Sequence, residues 1–431
     1  MRILLLGGGA REHALAWKIH QSSRTKQLFI APGNPGTNQC GINVNIDITD
    51  FEAIKKFCVE ERIEMIVVGP EEPLVKGLYD FFKSDEQLKE IYFIGPSKKG
   101  AQLEGSKAFA KSFMLRHKIP TASYREFDDA HFEEAAHFVN QHSLPVVLKA
   151  DGLAAGKGVV LCQAHVEAIA ELELMLQHAK FGEASKRVVV EEFLEGIELS
   201  AFVITDGKNY LLLPEAKDYK RIGEGDKGLN TGGMGAVSPV PFATPEFMRK
   251  VEEKVIIPTI NGIREEDLVY VGFLFFGLMN VNGEPYVIEY NCRMGDPETE
   301  VVIPRLETDL VELMIAAAEQ KLDSVQVKMD ERTTVTIMAS SFGYPGAFER
   351  GYEITGIGDY PGTDAMIFQA GTVEKEGKII TSGGRVLCVT SYGHDIQEAA
   401  DKSLDILEHI HFDGMYFRRD IGYEFLPSAL H

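Results

Sequence analysis

The sequence predicts an α/β protein that opens on a Rossmann-like parallel sheet, and three observations carry that prediction. The first hundred residues alternate short apolar runs with amphipathic stretches, as strand–helix–strand units do. Each run ends in a turn rich in glycine or proline: Gly7-Gly8-Gly9, Pro32-Gly33-Asn34-Pro35-Gly36 and Gly69-Pro70-Glu71-Glu72-Pro73. The last hundred residues read instead as short strands and a single helix, the pattern of a small α+β unit.

In order, strands are predicted over 2–6, 27–30, 63–68 and 91–94, with helices over 12–20 and 51–61. The second helix is announced by Thr49 and Glu52 at capping-box spacing. From residue 104 the character changes. A helix over 106–117 stops before Ile119-Pro120, and hydrophobic stretches follow at 146–149 and 187–192. Residues 217–241 read as one long loop, 245–261 as a helix leading to a strand pair, and 309–320 as a helix. Beyond these come strands at 333–339, 366–371, 378–382 and 385–390 and a helix at 395–410. The expected domains are 1–103, 104–326 with a lid subdomain at about 121–194, and 327–431.

Composition narrows the function. With 431 residues, 45% apolar and 25% charged, the chain is an ordinary globular protein long enough for two to four domains. A net charge of -21 argues against a sequence-independent grip on nucleic acid, though not against small phosphorylated ligands. Five scattered cysteines without C-x-x-C spacing read as free thiols in a reducing compartment. The apolar start, residues 1–6, is too short for a signal-peptide core, and the apolar run near 270–281 is interrupted by Gly272, Gly277 and Asn280. A cytoplasmic protein without a membrane span is expected.

The most informative stretch is Val287-Ile288-Glu289-Tyr290-Asn291-Cys292-Arg293-Met294-Gly295-Asp296-Pro297-Glu298. Read as a strand, it sets Tyr286, Ile288, Tyr290 and Cys292 on one face and Val287, Glu289, Asn291 and Arg293 on the other. A carboxylate and an amide oxygen two residues apart can hold a hard cation such as Mg²⁺ and leave room for phosphate oxygens. Arg293 adds a planar fork for a carboxylate or phosphate.

Three glycine-bearing segments point to phosphate and nucleotide. In Gly7-Gly8-Gly9-Ala10-Arg11-Glu12, Glu12 replaces the third glycine of a dinucleotide fingerprint, and the second strand ends without an acid for a ribose hydroxyl. A glycine turn feeding a helix N-terminus remains, with Arg11 beside it, and that suits an anion. Lys149 precedes Asp151-Gly152-Leu153-Ala154-Ala155-Gly156-Lys157-Gly158, which is not a P-loop because Gly158 stands where Ser or Thr is required. Flanked by two Val-Val-Leu strands, it reads as a hairpin flap closing over a nucleotide. In 188–198, a strand entering a bend can read an adenine edge, with Phe193 and Leu194 as an apolar floor and Glu198 facing ribose hydroxyls.

Taken in this order, Lys149, the flap, the 191–194 bend and the Glu289/Asn291 pair resemble an ATP-grasp carboxylate–amine ligase, and more narrowly the glycinamide ribonucleotide synthetase (phosphoribosylamine–glycine ligase) family. The resemblance runs through Gly9-Ala10-Arg11-Glu12-His13-Ala14, Leu103-Glu104-Gly105-Ser106-Lys107, residues 230–235, residues 291–298, Gly383-Gly384-Arg385-Val386 and Arg419-Asp420-Ile421-Gly422. It implies a pre-ATP-grasp domain, an ATP-grasp domain with a mobile lid and a small C-terminal α+β domain.

The same resemblance implies ATP on Lys107, Lys149, Gly152, Leu153, Ala154, Ala155, Gly156, Lys157, Gly158, Glu191, Glu192, Phe193, Leu194 and Glu198, and Mg²⁺ or Mn²⁺ on Glu289 and Asn291. Asp218, Lys220, Arg221, Arg293, Asp296 and Glu298 would surround glycine and the reacting phosphate, with Arg293 and Lys149 as the catalytic cations. Gly9, Arg11, Gly33, Asn34, Gly69 and Glu71 would face 5-phosphoribosylamine. That amine is labile, so a transient contact with the enzyme supplying it is a further expectation; no nucleic-acid or membrane partner is expected. The chain departs from the family's usual pattern at Tyr219, Leu229 and Met294. A different ATP-grasp ligase or carboxylase would share the nucleotide residues but lack the 11–13 and 291–298 combination. A nucleotide sensor would have no use for metal ligands, an arginine fork and a second phosphate site together.

Overall fold

The computed structural model describes residues 1–153, 158–358, 360 and 364–426. A five-stranded parallel sheet comes first, in the spatial order Ile42–Asn43, Gln27–Pro32, Arg2–Gly7, Met65–Val68, Tyr92–Ile94. Its central strands bury both faces: Leu4, Leu6, Ile66 and Val68 enter one core, and Ile3, Leu5, Met65 and Val67 the other. The chain leaves Arg2–Gly7 to one side and returns on the other. Such a sheet binds ligands outside the carboxyl ends of the strands where the order reverses. The helix Phe51–Glu60 is capped by Asp50, which accepts from the Ala53 N–H at 3.0 Å. Thr49, the expected cap, is taken up by Asp47 two residues earlier.

The central unit is a four-stranded antiparallel sheet in the order Tyr210–Leu212, Ile197–Thr205, Gly272–Val281, Glu284–Asn291. Asn282 and Gly283, both at positive φ, close its last hairpin as such turns require. The apolar run at 272–281 is a buried strand, and no helix among the described residues is long and apolar enough to cross a membrane. The expected alternation along Glu284–Asn291 breaks at one point. Gly277 pairs with Glu289 and Leu278 with Val287, so Ile288 is an extra residue in a bulge. Val287 therefore joins Tyr290 and Cys292 in the core instead of sharing a face with Glu289. Glu289, Asn291 and Arg293 stay together on the partly exposed side.

A lid sheet in the order Tyr124–Asp128, Arg187–Glu192, Val146–Ala150, Val159–Cys162 carries its own core, built with helices Phe132–Gln141 and His165–Leu176. The two Val-Val-Leu stretches pair as a hairpin, Lys149 opposite Val159. Residues 217–241 are not one loop. Lys217–Asp218 and Gly235–Ser238 form an edge of the C-terminal sheet, which continues through Thr333–Ser340, Arg385–Gly393 and Ala365–Gln369 under helix Ile396–Leu407. Arg221–Gly223 and Lys227–Asn230 form a separate ribbon.

Candidate active site

At the switch point of the parallel sheet, a cleft of ≈ 550 Å³ is lined by the Gly7–Gly9 turn, Pro32, Pro70 and residues 45–48. Glu12 explains the missing third glycine. Its carboxylate runs beneath the turn, accepts from the Gly9 N–H at 2.7 Å and pairs with Arg11 Nε at 2.6 Å. A Cβ on Gly69 would lie 2.2 Å from Glu12 Oε1, and one on Gly7 2.4 Å from its Cγ. The helix N-terminus expected to be open to an anion is thus partly filled from within the chain. Arg11 is buried; desolvation pulls its pKa down, but Glu12, Asp296 and Glu71 outweigh that and Arg293, and the net shift is upward. It is no solvated helix residue.

The 291–298 segment folds across this turn. Arg11 Nη1 approaches the Met294 carbonyl at 3.4 Å, and Asp296 lies against Gly9, within 3.6 Å of where a Cβ would be. Arg293 pairs with Glu104 at 2.8 Å and Glu71 at 3.3 Å. Glu104 also accepts from the Cys292 N–H at 2.7 Å. Burial raises the Glu104 carboxyl despite Arg293, whereas at Glu71 the same burial is outweighed by Arg293 and Arg11, and the carboxyl is lowered. Arg385 Nη1 lies 2.9 Å from Asp296 Oδ1. Its N–H aims at the Asp296 carbonyl, also at 2.9 Å, so Oδ1 keeps no directed hydrogen bond among the described residues.

A second cluster lies toward the lid. Glu191 Oε2 is shared by Lys149 at 2.9 Å and Lys111 at 3.1 Å, while Glu191 Oε1 is buried and has no hydrogen-bond partner among the described residues. Lys149 also donates to the Ile288 carbonyl at 3.2 Å, which joins the flap strand to the bulge beside Glu289. Burial pulls the Lys111 ammonium down to about 8, and Lys107, which donates to the Gly152 carbonyl at 3.0 Å, is lowered for the same reason. Glu289 and Asn291 enter no side-chain hydrogen bond or ion pair among the described residues.

The third cluster joins the previous two. Lys220 Nζ pairs with Glu198 at 2.8 Å, so Glu198, expected at ribose hydroxyls, is held by a lysine and lowered by it. Burial raises Asp218. It also pushes the Glu298 carboxyl up to about 8, aided by Asp218, with Ser200 donating to Glu298 at 3.1 Å.

Most expected residues therefore converge, but not all. The Asn34 side chain is spent internally, donating to the Gly8 and Gln369 carbonyls and accepting from Gly36 and Thr37. Arg221 turns into its own ribbon and donates to the Gly228 carbonyl at 2.8 Å. Phe193 is exposed. Ala154, Ala155, Gly156 and Lys157 lie outside the described residues. The three departures avoid the clusters: Met294 packs in the core, Leu229 is exposed on the ribbon, and Tyr219 faces the C-terminal core. Sequence reasoning missed Lys111, Glu104 and Arg385 as site residues. The last two lie inside quoted motifs; Lys111 is marked only by being a lysine one turn after Lys107 on a helix face that must be buried.

Comparison with known proteins finds relatives along the whole length of the chain. Residues 1–104 match the phosphoribosylglycinamide synthetase N domain, 105–299 its ATP-grasp (A) domain and 334–424 its C domain. The chain is 49% identical over 433 residues to phosphoribosylamine–glycine ligase of Haemophilus influenzae, covering 100% of both. It is 46% identical to that of Pseudomonas aeruginosa, covering 98% of each. The crystal structure of phosphoribosylamine–glycine ligase from Thermotoga maritima superposes with a TM-score of 0.84 at 36% identity, over 97% of this chain and 100% of that one. A biotin carboxylase domain of Hydrogenobacter thermophilus shares the fold, with a TM-score of 0.72 at 20% identity over 96% and 91% of the chains.

Proposed function

The chain belongs to the phosphoribosylglycinamide synthetase family, and we propose from that membership and from its three clusters how it performs the family's reaction. It is an ATP-dependent ligase that joins glycine to 5-phosphoribosylamine, giving glycinamide ribonucleotide, ADP and phosphate in purine biosynthesis. One observation carries the reading: strand Glu284–Asn291 and the turn after it touch both the lid lysine, Lys149 to Ile288 O at 3.2 Å, and the N-terminal glycine turn, Arg11 to Met294 O at 3.4 Å. Nucleotide and sugar-phosphate subsites so joined bring the two reacting ends together.

A carboxylate is a poor electrophile, and condensing it with an amine in water is uphill. The glycine carboxylate attacks the γ-phosphorus of ATP, ADP departs, and glycyl phosphate forms. The amine of phosphoribosylamine then attacks the acyl carbon and phosphate leaves. Lys107 and Lys149 hold phosphate oxygens as point charges, and Arg293 orients a carboxylate or phosphoryl group with its fork. Arg293 is kept in place by Glu71 and Glu104. Asp218, Lys220 and Glu298 flank the glycine site, and the lid excludes water that would hydrolyse the acyl phosphate. Residues of the Gly9, Gly33 and Gly69 turns bound the sugar-phosphate cleft.

Glu289 and Asn291 fit a divalent cation, Mg²⁺ or Mn²⁺. Among the described residues they offer two oxygen donors not committed elsewhere, and no group of three or more His, Cys, Asp or Glu there forms a closed cage. That donor set suits an ion completed by water and phosphate oxygens. When bound, the ion neutralises developing phosphoryl charge. A cytoplasmic location fits the five buried free thiols, and a transient contact with the enzyme supplying phosphoribosylamine fits the lability of that amine. The test is ADP release with phosphoribosylamine present, with and without glycine. Release that requires glycine is expected; release indifferent to glycine would refute the assignment.

A further inference from the structure

The motif Arg419-Asp420-Ile421-Gly422 has no place in the mechanism above, yet the residue before it is the largest fully buried side chain in the described protein. Arg418 is 0% exposed. Its fork meets Asp420 through two bonds of 2.8 Å, and its Nη1 reaches Asp226 at 2.7 Å and the Arg221 carbonyl at 3.1 Å. Both ends of the 221–230 ribbon are thereby tied to the chain's last described segment. Further ties run the same way: the Gly225 N–H to Asp420 at 2.6 Å, the Arg419 N–H to Glu224 at 3.1 Å, and Tyr416 OH to the Ile222 carbonyl at 2.9 Å.

Immediately before the ribbon, residues 217–220 run extended against 231–237, with the Tyr219 N–H on the Gly235 carbonyl and the Thr231 N–H on the Lys220 carbonyl. Alternate side chains must then face opposite ways. Lys217 and Tyr219 point to the C-terminal segment and share one carboxylate: Lys217 Nζ lies 2.7 Å from Glu424 Oε1, and Tyr219 OH donates to Glu424 Oε2 at 2.8 Å. The Tyr219 ring packs against two cations, Lys217 at 3.9 Å from its centroid and Arg418 at 5.3 Å. Asp218 and Lys220 point the other way, toward Glu198 and Glu298.

We infer that Arg418, Tyr219 and Glu424 are positioning residues for the reaction: the C-terminal segment holds one face of the 217–220 strand so that the other presents Asp218 and Lys220 to glycine. The inference rests on the proposed placing of Asp218 and Lys220 at the glycine subsite. None of the three is among the residues placed against substrate above. Because the strand's outward face is fixed by a shared carboxylate and a ring held against two cations, a small loosening there rotates the inward face, and nucleotide binding across the lid is left alone.

Glu424→Gln and Tyr219→Phe test this with least disturbance, since each keeps its shape and removes one partner; Arg418→Lys keeps the charge and loses the fork. Asp218→Asn serves as the reference for the subsite itself. Saturation by glycine, by phosphoribosylamine and by ATP is measured for each, with melting temperatures. The expected result is a rise of about threefold to tenfold in KM for glycine in Glu424→Gln and Tyr219→Phe, KM for ATP within twofold of the parent, and a larger glycine effect in Arg418→Lys. Glycine saturation damaged in Asp218→Asn but unchanged in the other three variants overturns the inference alone. Uniform losses in kcat without a glycine-specific rise in KM also overturn it, because that pattern marks general structural damage. Unchanged glycine saturation in Asp218→Asn removes the reading beneath the inference, and the inference with it.

Discussion

Glu191 holds Lys149 at 2.9 Å through the same carboxylate oxygen that takes Lys111 at 3.1 Å. A lysine that must turn to phosphate would otherwise leave a buried carboxylate without a counter-ion, and Lys111 remains to neutralise it. Lys149→Ala should weaken use of Mg·ATP by about 1.5–3 kcal/mol, roughly 10- to 100-fold, with glycine dependence little changed. Steady-state saturation curves check this; a defect confined to glycine would put Lys149 in the other subsite.

Arg11 tests the N-terminal turn, and its burial changes what its removal does. Arg11→Ala leaves Glu12 buried without its ion-pair partner, so a stability loss of about 3–5 kcal/mol is expected together with impaired use of phosphoribosylamine. Thermal unfolding of the variant decides the first part. An unchanged melting temperature would show that the Arg11–Glu12 pair is not the anchor described above.

His13 joins the N-terminal helix to the C-terminal sheet. Its Nδ1 accepts from the Gln369 N–H at 2.9 Å, so that nitrogen must be unprotonated, and burial lowers its pKa to about 4. Because the folded pKa lies below the ordinary value, the unfolded chain binds the extra proton first as pH falls. Stability is full above about pH 6.5 and declines by up to ~3 kcal/mol as pH falls toward 4. Melting temperature against pH should show a shallower acid limb in His13→Gln than in the parent; identical limbs would remove His13 from the account.

Glu300 is fully buried, neither carboxylate oxygen has a hydrogen-bond partner among the described residues, and burial raises its pKa well above the usual range. A raised carboxyl contributes fully only below about pH 4.5 and costs stability as pH climbs past it. Glu300→Gln should therefore gain on the parent as pH rises from 5 to 8. A constant difference across that range would show that Glu300 does not titrate with folding.

Much of this was legible in the sequence because it rests on local chemistry. Glycine turns after apolar runs located the parallel sheet, and two Val-Val-Leu stretches around a glycine loop located the flap hairpin. Glu289 and Asn291 lie on one face because the bulge precedes them. The same bulge defeated the assignment of Val287, since an extra residue in a strand leaves no mark on an apolar pattern. The split of 217–241 into a sheet edge and a ribbon was hidden for another reason. Strand Gly235–Ser238 pairs with Thr333–Ser340, a hundred residues away, while Arg418 and Glu424 hold the 217–226 stretch, and such long-range ties are not written in local sequence. Motif alone puts Glu198 and Asn34 at substrate, but distant partners, Lys220 and Gln369, claim their side chains.

The metal pair has its own test. Glu289→Gln keeps the shape and removes the charge, so turnover should fall by roughly two orders of magnitude or more. Near-normal ADP release by the folded variant would sink the placing of the cation.

The central claim is that the glycine carboxylate is activated as an acyl phosphate at this junction. It is tested most directly by following carboxyl oxygen: the reaction is run with glycine labelled with ¹⁸O in its carboxylate, and the phosphate released is analysed by mass spectrometry. The account predicts one labelled oxygen in each phosphate, carried over when the acyl–oxygen bond breaks. Phosphate free of label, with glycinamide ribonucleotide still formed, would contradict it.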